Sequence, residues 1–140
     1  MPFIRFVANN ARWIVGGFLL TFFSSFGQTF FISLSAGDIR AEYGLTHGQF
    51  GGLYMLATLA SALTLPWLGR ITDRYGAATV TLIIVPLLAA GAVGMAFSTH
   101  VAVLVVVIYM LRLFGQGMMT QNALTATGRW FAANRGRAVS

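Results

Sequence analysis

The sequence has no cysteine and no lysine, and it has few charged residues of any kind. Only 9% of its 140 residues are charged, against about a quarter in an ordinary soluble domain. The absence of cysteine excludes disulfides, thiolate nucleophiles and cysteine-based metal sites. The scarcity of charge excludes a fully water-exposed surface, because 57% of the residues are hydrophobic. The composition therefore predicts an integral membrane protein.

Most of the few charged residues are basic. Nine Arg and three acidic residues give a formal net charge of +6. A basic soluble chain would suggest nucleic-acid binding, but these arginines lie in the gaps between long apolar runs. The membrane explains that placement better, so we expect the lipid bilayer as a partner and no nucleic acid.

Four apolar runs are long enough to form membrane-spanning helices, which need about 20 apolar residues each. They cover about 13–36, 45–68, 77–97 and 101–125, and residues 126–140 form a basic tail. The first run is longer than the core of a cleaved signal peptide, about 7–15 residues, so we interpret it as a retained span. The predicted fold is an all-α membrane protein with four transmembrane helices, in a single domain over residues 1–140.

The distribution of arginine orients these helices, because cytoplasmic segments carry the excess of positive charge. The excess falls at the amino end, in the second connection and in the tail (Arg5, Arg12, Arg70, Arg74, Arg129, Arg135 and Arg137). Interfacial aromatic residues fall at the same edge (Trp13, Trp67, Tyr75 and Trp130). We therefore expect both chain ends in the cytoplasm. The expected location is the inner membrane of a bacterium.

Polar side chains recur at three- and four-residue spacing in three of the spans, so they share helical faces. Such stripes inside a bilayer face protein or a water-filled cavity, whereas the third span is nearly bare of polar groups. We expect the first, second and fourth spans to surround a polar space and the third to be peripheral. The stripes are Thr21, Ser24, Ser25 and Gln28, then Tyr54, Thr58 and Ser61, and finally Arg112, Gln116 and Thr120.

Arg112 is the residue that most clearly points to function. It lies about eleven residues into the fourth span, near the bilayer middle, where an arginine costs at least ~2.5–3.5 kcal/mol. No acidic residue lies within the four predicted spans. Its partner is therefore an anionic solute, a carboxylate outside this chain, or backbone carbonyls and water. The predicted solute-binding set is Arg112 with Gln28, Gln116 and Tyr54, whose groups can donate and accept hydrogen bonds.

The residues of an enzyme are missing from the pattern. The sequence offers no nucleophile with a base, no cluster of metal ligands and no loop suited to phosphates. Both histidines, His47 and His100, fall at the predicted outer boundary rather than within a span. We therefore expect no catalysis, no metal and no cofactor.

The charged stretch between the second and third spans resembles the signature loop of the major facilitator superfamily. Gly69, Asp73, Arg74 and Gly76 match that pattern, whereas Ala77-Ala78 replaces its trailing basic pair. Three further stretches resemble the family: residues 41–46, the Arg112 region, and residues 130–138. Ser25-Phe26-Gly27 followed by Phe30-Phe31 is somewhat similar to its monocarboxylate and oxalate/formate porter branches.

The resemblance implies a secondary transporter that moves a small solute by alternating access, with helices one and four lining the cavity. Arg112 favours an organic anion as solute, and Gly69, Asp73, Arg74 and Gly76 are expected to form a cytoplasmic gate. Members of the family have about twelve helices, so the chain is expected to be the incomplete amino-terminal half, with further helices as partners. The alternative is a stand-alone four-helix protein, such as a small multidrug exporter or a scaffold subunit.

Overall fold

The computed structural model describes residues 2–131, and these residues form helices and no strand. Helices satisfy their own backbone hydrogen bonds, which makes them the stable form for apolar runs in lipid. A 3₁₀-helix (Ser24–Gly27) follows α2, and a π-helix (Leu111–Met119) joins α7 to α8. The α-helices are α1 (Pro2–Asn9), α2 (Ala11–Phe23), α3 (Thr29–Leu34), α4 (Ala36–Tyr43), α5 (His47–Arg74), α6 (Ala77–Phe97), α7 (Val101–Met110) and α8 (Thr120–Trp130).

Within residues 2–131, four helical stretches are long and apolar enough to cross a membrane. They confirm the predicted number of spans and the all-α class. Their outer surfaces suit lipid, since Trp67, Leu82 and Phe97 are 71%, 76% and 79% exposed. The stretches, numbered here as the first to fourth spans, are Ala11–Leu34, His47–Arg74, Ala77–Phe97 and Val101–Trp130.

The second and fourth spans continue further than their apolar runs. Helix α5 ends at Arg74 rather than near residue 68, so the charged stretch is mostly helical and only Tyr75 and Gly76 are extended. A helix that leaves the bilayer keeps its backbone hydrogen bonds while its charged side chains reach water, so charge alone does not end it. Helix α8 likewise ends at Trp130 rather than near residue 125. The tail residues 132–140, including Arg135 and Arg137, lie outside the described residues.

The first span is broken in its middle, where a continuous helix was expected. Helix α2 tightens into the 3₁₀-helix, and Gln28 then adopts an extended conformation (φ −75°, ψ 151°) before α3 begins. The Ser24 hydroxyl donates to the Thr21 carbonyl at 2.6 Å, which satisfies an acceptor near the break. The break exposes backbone groups inside the span, and these groups need partners from another helix.

The fourth span lies at the centre of the bundle. Buried residues make up 39% of its apolar stretch, against 17%, 11% and 22% in the first three spans. Helix α6 packs against it through a face that includes Val80, Ile84 and Leu88. The opposite face of α6 is exposed, as expected for a peripheral helix. The largest fully buried side chains of the fourth span are Leu104, Ile108, Leu111, Leu113 and Met119.

The two ends of the bundle are tied by different contacts. At one end the rings of Trp13 and Trp130 lie 5.0 Å apart, and Arg129 Nη2 donates to the Asp73 carbonyl at 2.9 Å. At the other end the Tyr43 hydroxyl donates to the Ser98 carbonyl at 2.5 Å. The amino end, the second connection and the end of α8 therefore share one end of the molecule. This agrees with the arginine pattern, which groups the same segments.

Candidate functional site

Arg112 projects from the π-helix of the fourth span. A π-helix is rare and often marks a functional site. The Arg112 side chain is half-buried, and its Nη1 donates to Gln116 Oε1 one turn further along. Two residues of the predicted set therefore meet on one helix.

The broken part of the first span supplies further acceptors. Arg112 Nη1 donates to Thr29 Oγ1 at 3.0 Å and to the Gly27 carbonyl at 3.4 Å. The first and fourth spans approach this closely because Gly27 faces Gly115. A Cβ built on Gly115 would lie 2.7 Å from the Gly27 Cα, a distance that real side chains do not reach. Two glycines thus bring the helical break against the arginine.

Tyr54 of α5 completes the group. Its hydroxyl donates to Thr29 Oγ1 at 3.1 Å, and its ring centroid lies 5.5 Å from Arg112 Cζ. A guanidinium at this distance from an aromatic ring is attracted to the ring's negative face. The first, second and fourth spans therefore meet at Arg112, and the third contributes no hydrogen bond to it among the described residues.

The positive charge of Arg112 has no negatively charged hydrogen-bond acceptor among the described residues. The acceptors that Arg112 has within residues 2–131 are all neutral: a carbonyl, a hydroxyl and an amide oxygen. The Arg112 Nε is buried and has no hydrogen-bond partner in the described part of the chain. A half-buried cation with neutral partners stabilises an anion that comes near it, by charge-assisted hydrogen bonds.

Gln28 is the member of the predicted set that stays apart. It is half-buried and forms the extended break, yet its side chain makes no hydrogen bond to another described residue. Thr29 takes the place next to Arg112 instead. The sequence patterns did not single out Thr29, although it lies four residues after Ser25 of the first polar stripe.

The predicted gating residues lie at a second contact between the second and fourth spans, at the end of the bundle where Trp13 meets Trp130. Arg129 Nη2 donates to the Asp73 carbonyl and lies 3.8 Å from its carboxylate Oδ1. The two side chains are 45% and 72% exposed, so water screens this ion pair. Gly69 lies against Gln121, since a Cβ there would be 3.0 Å from the amide of that side chain. The sequence patterns assigned Arg129 to the tail and missed this contact.

A separate groove between the first, third and fourth spans has a volume of about 510 Å³. Its walls are almost wholly apolar, and the hydroxyl of Thr81 on its edge donates to the Ala77 carbonyl of its own helix. It offers no converging polar groups, so it does not compete with the Arg112 group as a solute site. The described residues also contain no group of His, Cys, Asp or Glu that could hold a metal ion.

Comparison with known proteins gives one finding that bears on function. The sequence model of the Major Facilitator Superfamily matches residues 17–140. The match spans the Arg112 group and the stretch from Gly69 to Gly76. Searches among curated proteins and among solved structures gave no match.

Proposed function

Because the chain belongs to the Major Facilitator Superfamily and is a membrane transport protein, we propose that it moves a small organic anion by alternating access. Four apolar helices and the family place it in a lipid bilayer with a small solute as partner. The alternative of a small multidrug exporter is not favoured, because the family match covers most of the chain and Arg112 repels cations.

The observation that carries the proposal is the set of neutral partners around Arg112. Near the bilayer middle the arginine costs at least ~2.5–3.5 kcal/mol, and neutral acceptors offset only part of the cost of its charge. An anionic solute would supply the missing charge during the part of the cycle in which it is bound. Arg112 is the proposed anion contact, and Gln116 holds its guanidinium in place.

The remaining members of the set have supporting roles. Tyr54 covers one face of the guanidinium with its ring and binds Thr29 with its hydroxyl. Gln28 has a side-chain amide without a partner among the described residues, which suits contact with the solute. The Tyr54 hydroxyl and the Gln28 amide can each bind a carboxylate, hydroxyl or amide of a small molecule.

Alternating access also needs a gate. In this family two helical halves rock around a site at the midplane, and we assign these four spans to the amino-terminal half. Gly69, Asp73, Arg74 and Gly76 are the proposed gating residues at the cytoplasmic end. Asp73 is well exposed there, so its carboxylate is available to a helix of the other half. The arginine distribution supports an orientation with both chain ends cytoplasmic. A bacterial inner membrane is the proposed location.

The test is anion uptake by the transporter in proteoliposomes, with variants of Arg112. We expect Arg112→Gln to weaken organic-anion binding by at least about tenfold, since a charge-assisted hydrogen bond is lost. Arg112→Lys keeps the charge without the planar fork and should retain part of the affinity. Arg70→Gln is the matched control, because Arg70 lies over the Trp67 ring at the end of α5. Unchanged affinity in Arg112→Gln would remove the anion role.

A further inference from the structure

Thr29 occupies the centre of the Arg112 group, although it carries no charge. Given the proposed function, on which this step rests, we infer that Thr29 contacts the solute and selects among anions. Its hydroxyl would donate a hydrogen bond to a second oxygen of the solute, next to the anionic group held by Arg112. The solutes favoured would be carboxylates with a neighbouring hydroxyl or carbonyl oxygen.

We infer this role from the number of hydrogen bonds that the Thr29 hydroxyl can accept and donate. A threonine hydroxyl accepts up to two hydrogen bonds and donates one. Thr29 Oγ1 accepts from Tyr54 at 3.1 Å and from Arg112 Nη1 at 3.0 Å. Both acceptor positions are therefore used, and the hydroxyl hydrogen is left over.

Reversing the bond between the two hydroxyls does not change this result. Arginine has no acceptor, so Thr29 must accept from Arg112 in either case. If Thr29 donated to Tyr54, the hydroxyl hydrogen of Tyr54 would be the one left over. The pair of hydroxyls thus always keeps one spare donor beside the guanidinium.

The spare donor lies where a solute can reach it. Thr29 is exposed, whereas Arg112 and Tyr54 are half-buried. Its backbone follows directly on the break at Gln28, and the close approach of Gly27 to Gly115 fixes the position of that break. The hydroxyl is therefore held against Arg112 by the backbone as well as by its own hydrogen bonds.

The neighbouring charge also strengthens the donor. Hydrogen bonds in a chain polarise one another, and here the hydroxyl oxygen accepts from a cation. The N–H groups of Arg112 other than those on Nη1 and the spare hydroxyl hydrogen then form an array of donors only, joined through the 3.0 Å bond between Nη1 and Thr29 Oγ1. Such an array prefers a solute with two adjacent acceptor oxygens over a solute that has a CH₂ or CH₃ group in place of the second oxygen.

The experiment compares pairs of solutes that differ by one hydroxyl, using the full transporter in nanodiscs. The probes are 2-hydroxy carboxylates of two to four carbons and their deoxy counterparts, for example glycolate and acetate. The wild-type protein should bind the hydroxylated member of a pair more tightly. Thr29→Val should reduce that preference by about fivefold to tenfold, the loss expected for one hydrogen bond. Binding of the deoxy member should weaken less, because it loses no direct hydrogen bond and is affected only through the acceptor that Thr29 supplies to Arg112.

Three further variants separate recognition from structure. Thr29→Ser keeps the hydroxyl and should keep the preference, and Tyr54→Phe leaves Thr29 its hydrogen and should keep it too. Thr21→Val is the matched control, because the Thr21 hydroxyl donates to Gly17 of its own helix. If Thr29→Val lowered the affinity for the hydroxylated and the deoxy anion equally, or changed neither affinity, Thr29 would have no selective role. Arg112 could still bind anions in that case. If the wild type bound none of the anions, the proposed function would fail as well.

Discussion

Gly27 and Gly115 meet backbone to backbone, and this contact joins the broken part of the first span to the π-helix of the fourth. A Cβ on Gly27 would lie 2.6 Å from the Gln116 amide nitrogen, and one on Gly115 would lie 2.7 Å from the Gly27 amide nitrogen. Each glycine is followed by a glutamine and preceded by a phenylalanine, so the two spans meet through matching tripeptides. The contact places Gly27 and Thr29 within hydrogen-bond distance of Arg112.

Adding a methyl group to this contact should push the two spans apart. We expect Gly115→Ala to destabilise the protein by about 1–3 kcal/mol, the usual cost of overpacking. It should also weaken anion binding, because the Gly27 carbonyl and Thr29 would move away from Arg112. Thermal unfolding in detergent and anion affinity are the two measurements.

The matched control for that change is Gly48→Ala in α5. A Cβ on Gly48 has no atom within 4 Å, so the variant should be as stable as the wild type or slightly more stable. Equal destabilisation in the two variants would mean that the Gly27 contact is not tightly packed.

The two glutamines of the site should behave differently when replaced by alanine. Gln116 binds the guanidinium, whereas the Gln28 side chain makes no hydrogen bond to another described residue. Gln116→Ala should therefore lower both thermal stability and anion affinity, because it removes a partner of a half-buried cation. Gln28→Ala should lower affinity alone, as expected for a group that binds only the solute.

Stability curves and equilibrium binding of the same anion separate these effects. An affinity unchanged in Gln28→Ala would show that this residue forms the helical break and does not touch the solute. A stability unchanged in Gln116→Ala would mean that its hydrogen bond adds little to the fold.

Single cysteines should report the sidedness of the two bundle ends, because the sequence has no cysteine of its own. Arg74 and Glu42 are both exposed, at the end of α5 and in α4 respectively. In intact cells a membrane-impermeant thiol reagent should label Glu42→Cys and spare Arg74→Cys, since the arginine pattern places α4 outside.

Opening the cells should make Arg74→Cys reactive as well. Leu59→Cys serves as the control that stays unlabelled, because Leu59 lies in the middle of the second span, away from both ends of the bundle. The reverse labelling of the two end positions would invert the proposed orientation.

Much of the architecture was predictable because hydropathy is a local quantity. The four spans, the helical class and the peripheral third helix follow from runs of residues that can be read along the chain. Arg112 was predictable for the same reason, since a charge in an apolar run is costly wherever the helix packs. Gln116 and Tyr54 followed from their spacing within their own helices.

The break at Gln28 was not predictable in this way. Ser24, Ser25 and Gln28 are polar, but polar residues alone do not end a helix within a span. The extended backbone at Gln28 accompanies the close packing of Gly27 against the fourth span. Helix α5 also continued to Arg74 beyond its apolar run, since the end of a helix is set by hydrogen bonding rather than by hydropathy. The contact of Arg129 with Asp73 joins residues on different spans, so neither local pattern contains it.

The sequence by itself determined a membrane protein of four helices with one arginine inside a span and a transporter signature between spans two and three. The tertiary structure alone decided which groups surround that arginine, because Gly27 and Thr29 lie 85 and 83 positions away from it in the chain. Apolar runs fix where a chain enters lipid, whereas a hydrogen bond of about 3 Å depends on how closely two helices pack. Here that distance is set by two glycines, each of which looks ordinary in its own helix.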